Sequence, residues 1–191
     1  MKKLKVIIFL IYSLSLKSSF EIKNLEFDDK LKITQACQLF RQEKIYEGTA
    51  CDDLDILYMI RENKRAILVA ESLVDKKIIG ILIASYVPNA LKSWGKVVPW
   101  VNVSKHVVQK EDALYFDIVA VDQDFSHLGV ATNLMEHATH KALDFQIPYI
   151  ILSVFKDNHE AISCYKKNGF QYLREGSDAI ALFKKTKEDS F

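Results

Sequence analysis

The chain has 191 residues, of which 49% are apolar, 11% aromatic and 27% charged; this is the make-up of one good-sized packed domain and excludes disorder and a collagen-like fold. Six Gly and three Pro are too few for a many-turned all-β chain or a long flexible linker. The formal charge of +1 offers no basic field for nucleic acid, and it is unevenly laid out: residues 1–19 carry +4 and residues 20–191 carry −3.

Residues 1–19 read as an apolar leader. Lys2, Lys3 and Lys5 precede an apolar run over 6–16, which has the shape of a secretory signal. The run is too short to span a ~30 Å hydrocarbon core as a helix, which takes about 20 residues. Ser13 and Ser15 are small enough for a cleavage site, but cutting there shortens the apolar run, and Lys17 spoils the later choices. A membrane-surface anchor or a strand added to the domain edge are the alternatives. The expectation is a cytoplasmic or membrane-tethered protein, or a secreted one if 6–16 act as a signal peptide. Cys37, Cys51 and Cys164 show neither metal-like spacing nor a disulfide framework, with a single Cys37–Cys51 pair as the alternative.

In chain order, 20–27 alternates in polarity like a strand. Asp28 and Asp29 can cap a helix over about 31–42, with Ile33, Ala36, Cys37 and Phe40 at helical spacing. A second helix starts near Asp52 and Asp53. Strands follow over 65–70 and 78–87, joined by a hairpin turn at 75–77. An insertion over about 88–112 carries Trp94, Trp100 and Pro99, and a loop of that length in a compact domain is usually functional or disordered. A strand over 113–121, a loop over 122–128, a helix from 129 to about 145 and a strand over 149–154 make one βαβ unit. A helix over about 159–168, stopped by Gly169, and two strands over 170–174 and 179–183 close the chain. This order predicts an α/β (α+β) fold: one domain over 20–191, with helices on both faces of a mixed sheet.

The stretch that carries chemistry is 119–134. A strand ends, a short loop turns, and Gly129 opens a helix. Helix N-terminal N–H groups point outward without intrahelical acceptors, and the helix dipole adds positive potential, so such a turn suits a phosphate or pyrophosphate. Taken alone, one glycine also fits a plain strand-to-helix turn. The segment Ser126-His127-Leu128-Gly129-Val130-Ala131 resembles the acetyl-CoA signature of the GNAT superfamily of N-acetyltransferases, (Gln/Arg)-x-x-Gly-x-(Gly/Ala). Downstream, Asn158, Ala161, Tyr165, Gly169 and Phe170 match the family's Asn-x-x-Ala-x-x-x-Tyr-x-x-x-Gly-Phe run. The likeness covers 113–174 in sequence and 20–87 in element order. Ser126 departs from the family's Gln or Arg, so a long side chain that could wrap the pyrophosphate is missing.

The resemblance implies a GNAT-type, mostly antiparallel sheet of about six to seven strands. It implies acetyl-CoA as co-substrate, no metal, and an amine acceptor. Val119, Ala120 and Val121 would pair with the pantetheine arm through their backbone. His127, Leu128, Gly129, Val130, Ala131 and Thr132 would hold the pyrophosphate, and Asn158 the pantetheine from the far side. Tyr165 sits where the family places the hydroxyl that protonates the departing thiolate; otherwise it is a core aromatic beside Ile162 and Phe170. The base is open between Asp117 on the neighbouring strand and Glu43. Many relatives carry Glu where Ser153 stands, and Ser153 cannot abstract a proton at neutral pH. Glu43 comes from a further likeness, of the 40–45 stretch and the central insertion, to the arylalkylamine N-acetyltransferase-like branch, with Lys44 where that branch has Pro. In that reading Tyr86, Trp94 and Trp100 form an aromatic wall for a cationic amine; otherwise the tryptophans anchor the insertion. His137 and His140, three apart on a helix, read as an exposed face. The function expected is acetyl transfer from acetyl-CoA to a small primary amine. The alternatives are a peptide or protein N-acetyltransferase, or a catalytically silent acyl-CoA-binding module.

Overall fold

A computed structural model describes residues 19–26, 28–42, 65–88, 90 and 112–186. Strand β1 (Phe20–Asn24) and helix α1 (Lys30–Gln42) precede β2 (Arg65–Ser72), β3 (Ile78–Val87) and β4 (Ala113–Val121). Helix α2 (Val130–Asp144), β5 (Tyr149–Phe155), α3 (His159–Lys167), β6 (Gln171–Glu175) and β7 (Ala179–Lys185) follow. The seven strands form one sheet in the order β1-β2-β3-β4-β5-β7-β6. β4 and β5 are parallel, and β1–β2, β5–β7 and β6–β7 are antiparallel. This is the mixed, mostly antiparallel seven-stranded sheet with helices that the sequence reading expected. The chain divides into two compact units.

The first unit contains β1, α1, residues 67–81, and 119–134. Asp29 caps α1 as expected, its Oδ1 accepting the Lys32 N–H at 3.1 Å. Ile33, Ala36, Cys37 and Leu39 form the helix's buried stripe. The strand expected over 20–27 stops at Asn24: Leu25 turns in, and its N–H donates to Ile67 O at 3.0 Å. The hairpin connection runs over 73–77 and so contains the expected 75–77: the Ser72 N–H donates to Lys77 O at 2.9 Å, Lys76 takes φ 59°, and Ser72 Oγ accepts the Val74 N–H. Glu71 is buried between Lys23 and Lys32, both 3.1 Å from its carboxylate. Burial works to raise its carboxyl, but hydrogen bonds from Lys32 and Lys23 outweigh it and hold the group below its usual value.

The second unit contains 64–66, 82–118 and 135–191. The β3 residues 82–84 are fully buried, as a near-continuous apolar strand covered on both faces should be. β4 alternates buried and half-buried residues with period two. Val87, Ala90, Ala113, Ile151, Leu173 and Ala181 form one core cluster, flanked by Tyr115, Tyr149 and Phe183. α3 ends at Asn168, and Gly169 takes the left-handed conformation at φ 84° that stops it.

Candidate functional site

In the first unit, β4 gives way to a turn rooted in Asp122. This residue is buried, and it is bonded at four points. Its N–H donates to Ile79 O at 2.9 Å, and its C=O accepts the Phe125 N–H at 2.8 Å. Its Oδ1 accepts the Asp124 N–H at 3.0 Å, and its Oδ2 accepts Lys77 Nζ at 2.6 Å. A single 3-10 turn, Gln123–Phe125, follows, and Ser126 closes it by donating to Gln123 O at 3.2 Å. His127 and Gly129 then take positive φ, 61° and 82°. Histidine is among the few non-glycine types enriched there, whereas Gly129 takes it without penalty. The Gly129 carbonyl accepts both the backbone N–H and the side-chain amide of Asn133, at 3.0 and 2.9 Å, and α2 starts. The helix's first N–H groups have no acceptor within the helix itself, which is the chemistry that suits a phosphate-type anion.

The packing beneath this turn is close. A Cβ on Gly80 of β3 would lie 2.7 Å from Val130 Cγ1 and 3.2 Å from Leu134 Cδ1. Glycine therefore lets the first turns of α2 rest directly on the strand. Val130 and Ala120 are buried, so only their backbones can serve a ligand. Val119, Val121, Leu128, Ala131 and Thr132 are half-buried, and His127 and Gly129 are exposed.

In the second unit, the parallel pairing of β4 with β5 runs from Ala113↔Tyr149 to Phe116↔Leu152. Both strands continue past that point. β5 keeps its antiparallel partner on the other edge, with Ser153↔Ala181, Val154↔Ile180 and Phe155↔Ala179. β4 goes on through Asp117 and Ile118 outside that pairing. Asp117 is half-buried and accepts the Ser85 hydroxyl at 2.5 Å. Tyr86 donates its hydroxyl to Asp112, and this bond holds its phenol above the ordinary value.

Asn158 caps α3, with Oδ1 accepting the Ala161 N–H at 3.0 Å. Tyr165 lies edge-on to Phe170 at 5.7 Å between ring centroids, and Phe170 lies 5.9 Å from Phe116. Burial lifts the Tyr165 phenol well above its usual value, with smaller contributions from Cys164 and Tyr115. By exposure Tyr165 is half-buried, and its ring packs on Phe170. The same burial keeps its hydroxyl protonated.

Glu43, Trp94, Trp100 and the helix expected from Asp52 lie outside the described residues. Among the described residues, no group of three or more His, Cys, Asp or Glu is placed to hold a metal ion. Sequence reasoning missed four residues that shape these segments. Lys77 and Asp122 anchor the turn, Gly80 seats α2, and Ser85 bonds Asp117. Two signals were available. The Asp122-Gln-Asp124 pattern directly after a strand is an Asx-turn cue, and a lone glycine inside an apolar strand marks close approach.

A profile of the Acetyltransferase (GNAT) family matches residues 33–170. Arabidopsis thaliana NAA60, solved with a bisubstrate analogue, is similar in structure with a TM-score of 0.67 and 14% identity, covering 87% of this chain and 98% of its own. The PaiA N-acetyltransferase of Thermoplasma acidophilum, solved with coenzyme A, gives 0.62 at 16% identity, covering 87% and 99%. The ribosomal-protein-S18-alanine N-acetyltransferase of Escherichia coli gives 0.62 at 14% identity, covering 91% and 99%. No curated protein matches the sequence.

Proposed function

Because the chain belongs to the acetyltransferase (GNAT) family, we propose that it transfers an acetyl group from acetyl-CoA to a primary amine of a small molecule by direct attack, with 20–191 working as one domain. The observation that carries this reading is the turn over 122–129, rooted in buried Asp122 and released by Gly129 into α2. PaiA, solved with coenzyme A, has the same fold. The residues fit such a donor. The exposed turn and the half-buried Ala131 and Thr132 give backbone N–H groups to a diphosphate, and Val119, Ala120 and Val121 give strand polar groups to the amides of the arm. Asn158 has Oδ1 committed to its cap, so Nδ2 is the donor with which it meets the arm.

The co-substrate supplies an activated thioester. A neutral amine nitrogen bonds to the thioester carbonyl carbon, the C–S bond breaks, and the sulfur takes a proton. Tyr165 provides that proton. A phenol near 10 faces a thiol near 8.5, and burial of Tyr165 widens this gap, so its hydroxyl acts as a hydrogen-bond donor to sulfur and yields its proton late. The amine's own proton goes to a carboxylate: Asp117, oriented by Ser85, or Glu43. Arylalkylamines head the acceptor list, with Tyr86 part of the pocket wall.

The test is thiol release from acetyl-CoA with a panel of arylalkylamines, polyamines, aminoglycosides and peptides bearing free N-termini. Turnover with the small primary amines is expected. Turnover confined to peptides replaces this reading with a peptide N-acetyltransferase, and thermal stabilisation without turnover replaces it with a silent binding module. No stabilisation at millimolar acetyl-CoA overturns the acyl-CoA reading, since a ligand at a hundred times its Kd stabilises by about 2.7 kcal/mol.

A further inference from the structure

We propose that Lys77 and Asp122 are positioning residues for the diphosphate end of the donor, latching the turn that leads into α2. The inference rests on the acyl-CoA reading above and adds a residue pair to it.

The argument starts from exposure. Gln123, Asp124, Ser126, His127 and Gly129 are exposed and only Phe125 and Leu128 are half-buried, so side-chain packing covers just part of the turn. Backbone N–H groups help an anion most when they are already aimed, because a mobile loop must be ordered at the moment of binding. The turn's order is supplied at its root. Asp122 is buried; its backbone N–H ties the strand end to Ile79 O of β3 and its C=O accepts the Phe125 N–H, while its carboxylate fixes the start of the 3-10 turn through the Asp124 N–H.

Burying a carboxylate costs less where a counter-charge and hydrogen-bond donors face it. Lys77, forty-five residues away in sequence, provides that counter-charge at 2.6 Å from the last residues of the β2–β3 hairpin. The hydrogen bond to Asp122 in turn holds the Lys77 ammonium above the ordinary lysine value. The lysine is itself half exposed, so replacing it leaves the core intact while removing the tether. Its consequence is specific. The latch acts on the segment that meets the diphosphate and contributes nothing to the thioester or the amine.

The experiment compares acetyl-CoA with acetyl-pantetheine, which carries the same thioester and arm but no nucleotide diphosphate. Steady-state kinetics are measured for the wild type, Lys77→Met, Lys77→Arg, Asp122→Asn and Asp122→Ala. Lys77→Met and Asp122→Ala are expected to raise KM for acetyl-CoA about ten- to a hundredfold, the loss of one or more charge-assisted hydrogen bonds. Their kcat with acetyl-CoA, and their KM for acetyl-pantetheine, stay within about twofold of the wild type. Lys77→Arg restores KM, and Asp122→Asn, which keeps the acceptor for the Asp124 N–H, falls between. An equal loss with both donors makes the pair a general support of the fold and overturns the proposal, as does an unchanged KM for acetyl-CoA.

Thermal shift with adenosine 3′-phosphate 5′-diphosphate, the nucleotide end of coenzyme A with its diphosphate intact, reads the same point without turnover, so an inactive variant still reports. The wild type is stabilised and Lys77→Met is not. Equal stabilisation of the two overturns the latch alone, whereas a wild type indifferent to coenzyme A overturns the acyl-CoA reading and the latch with it.

Discussion

Replacing Gly80 with Ala tests whether the seating of α2 on β3 sets the site. The added Cβ would sit 2.7 Å from Val130 Cγ1, 3.2 Å from Leu134 Cδ1 and 3.4 Å from the Ala120 carbonyl oxygen. Restoring a 3.4 Å contact to Val130 requires a movement of about 0.7 Å. Val130 cannot supply it by rotation, because a β-branched side chain in a helix has one strongly preferred rotamer and this one is buried. Leu134 is equally enclosed, so the start of α2 must lift. Overpacking of this kind costs about 1–3 kcal/mol, offset by roughly 0.5–1 kcal/mol from the lower chain entropy of alanine.

At the middle of both ranges the net loss is about 1 kcal/mol, which lowers Tm by roughly 2–4 °C for a chain of this size. The same lift misaligns the first N–H groups of the helix, so KM for acetyl-CoA rises several-fold. The assays are calorimetric or circular-dichroism melting and donor-saturation kinetics. The double variant Gly80→Ala/Val130→Ala is the decisive control. Removing the clashing methyl should leave the pair about 1 kcal/mol more stable than the sum of the single changes. An unchanged Tm for Gly80→Ala, or strict additivity in the double variant, refutes the packing argument.

Tyr165→Phe keeps the edge-on contact with Phe170 and removes the proton donor; kcat should fall by about 10²-fold or more with Tm nearly constant, and a stable variant with full kcat would leave Tyr165 a packing residue. Asn158→Ala loses the α3 cap and about 1 kcal/mol of stability, whereas Asn158→Asp keeps the cap acceptor and lacks the Nδ2 donor. If Nδ2 meets the donor's arm, Asn158→Asp melts like the wild type yet raises KM for acetyl-CoA; an unchanged KM removes Asn158 from the binding surface. Burial raises Tyr165 and the bond to Asp112 raises Tyr86, so the folded chain holds these protons more tightly than the unfolded one. Their contribution to stability is fully present below the unfolded tyrosine value of about 10 and is lost as pH rises beyond it. Denaturant melts from pH 8 to 11.5 should show that decline, shallower in Tyr165→Phe, and an identical slope in the variant would contradict the burial argument.

Local pattern alone was enough for much of this protein. The apolar run 78–87 and the alternating 113–121 form strands with those bounds, because periodicity and β-branched content act within a few residues. Asp29 and Gly169 bound their helices as read, since a cap needs only its own turn. The family was legible for the same reason: the glycine-bearing turn and the Asn158-to-Phe170 run are each contiguous. The tertiary structure decided what depends on residues far apart in sequence. Only a three-dimensional arrangement ends the pairing of β4 with β5 at Phe116↔Leu152 and brings Ser85 to Asp117. The same holds for Gly80 beneath Val130 and for Lys77 against Asp122. A single lysine in a hairpin or glycine in a strand carries no mark of its partner, because the contact energy arises only once loop closure has brought the two together. Local signals therefore located the glycine-bearing turn before α2, while contacts between residues far apart in sequence, Lys77 with Asp122 among them, tie that turn to the strands.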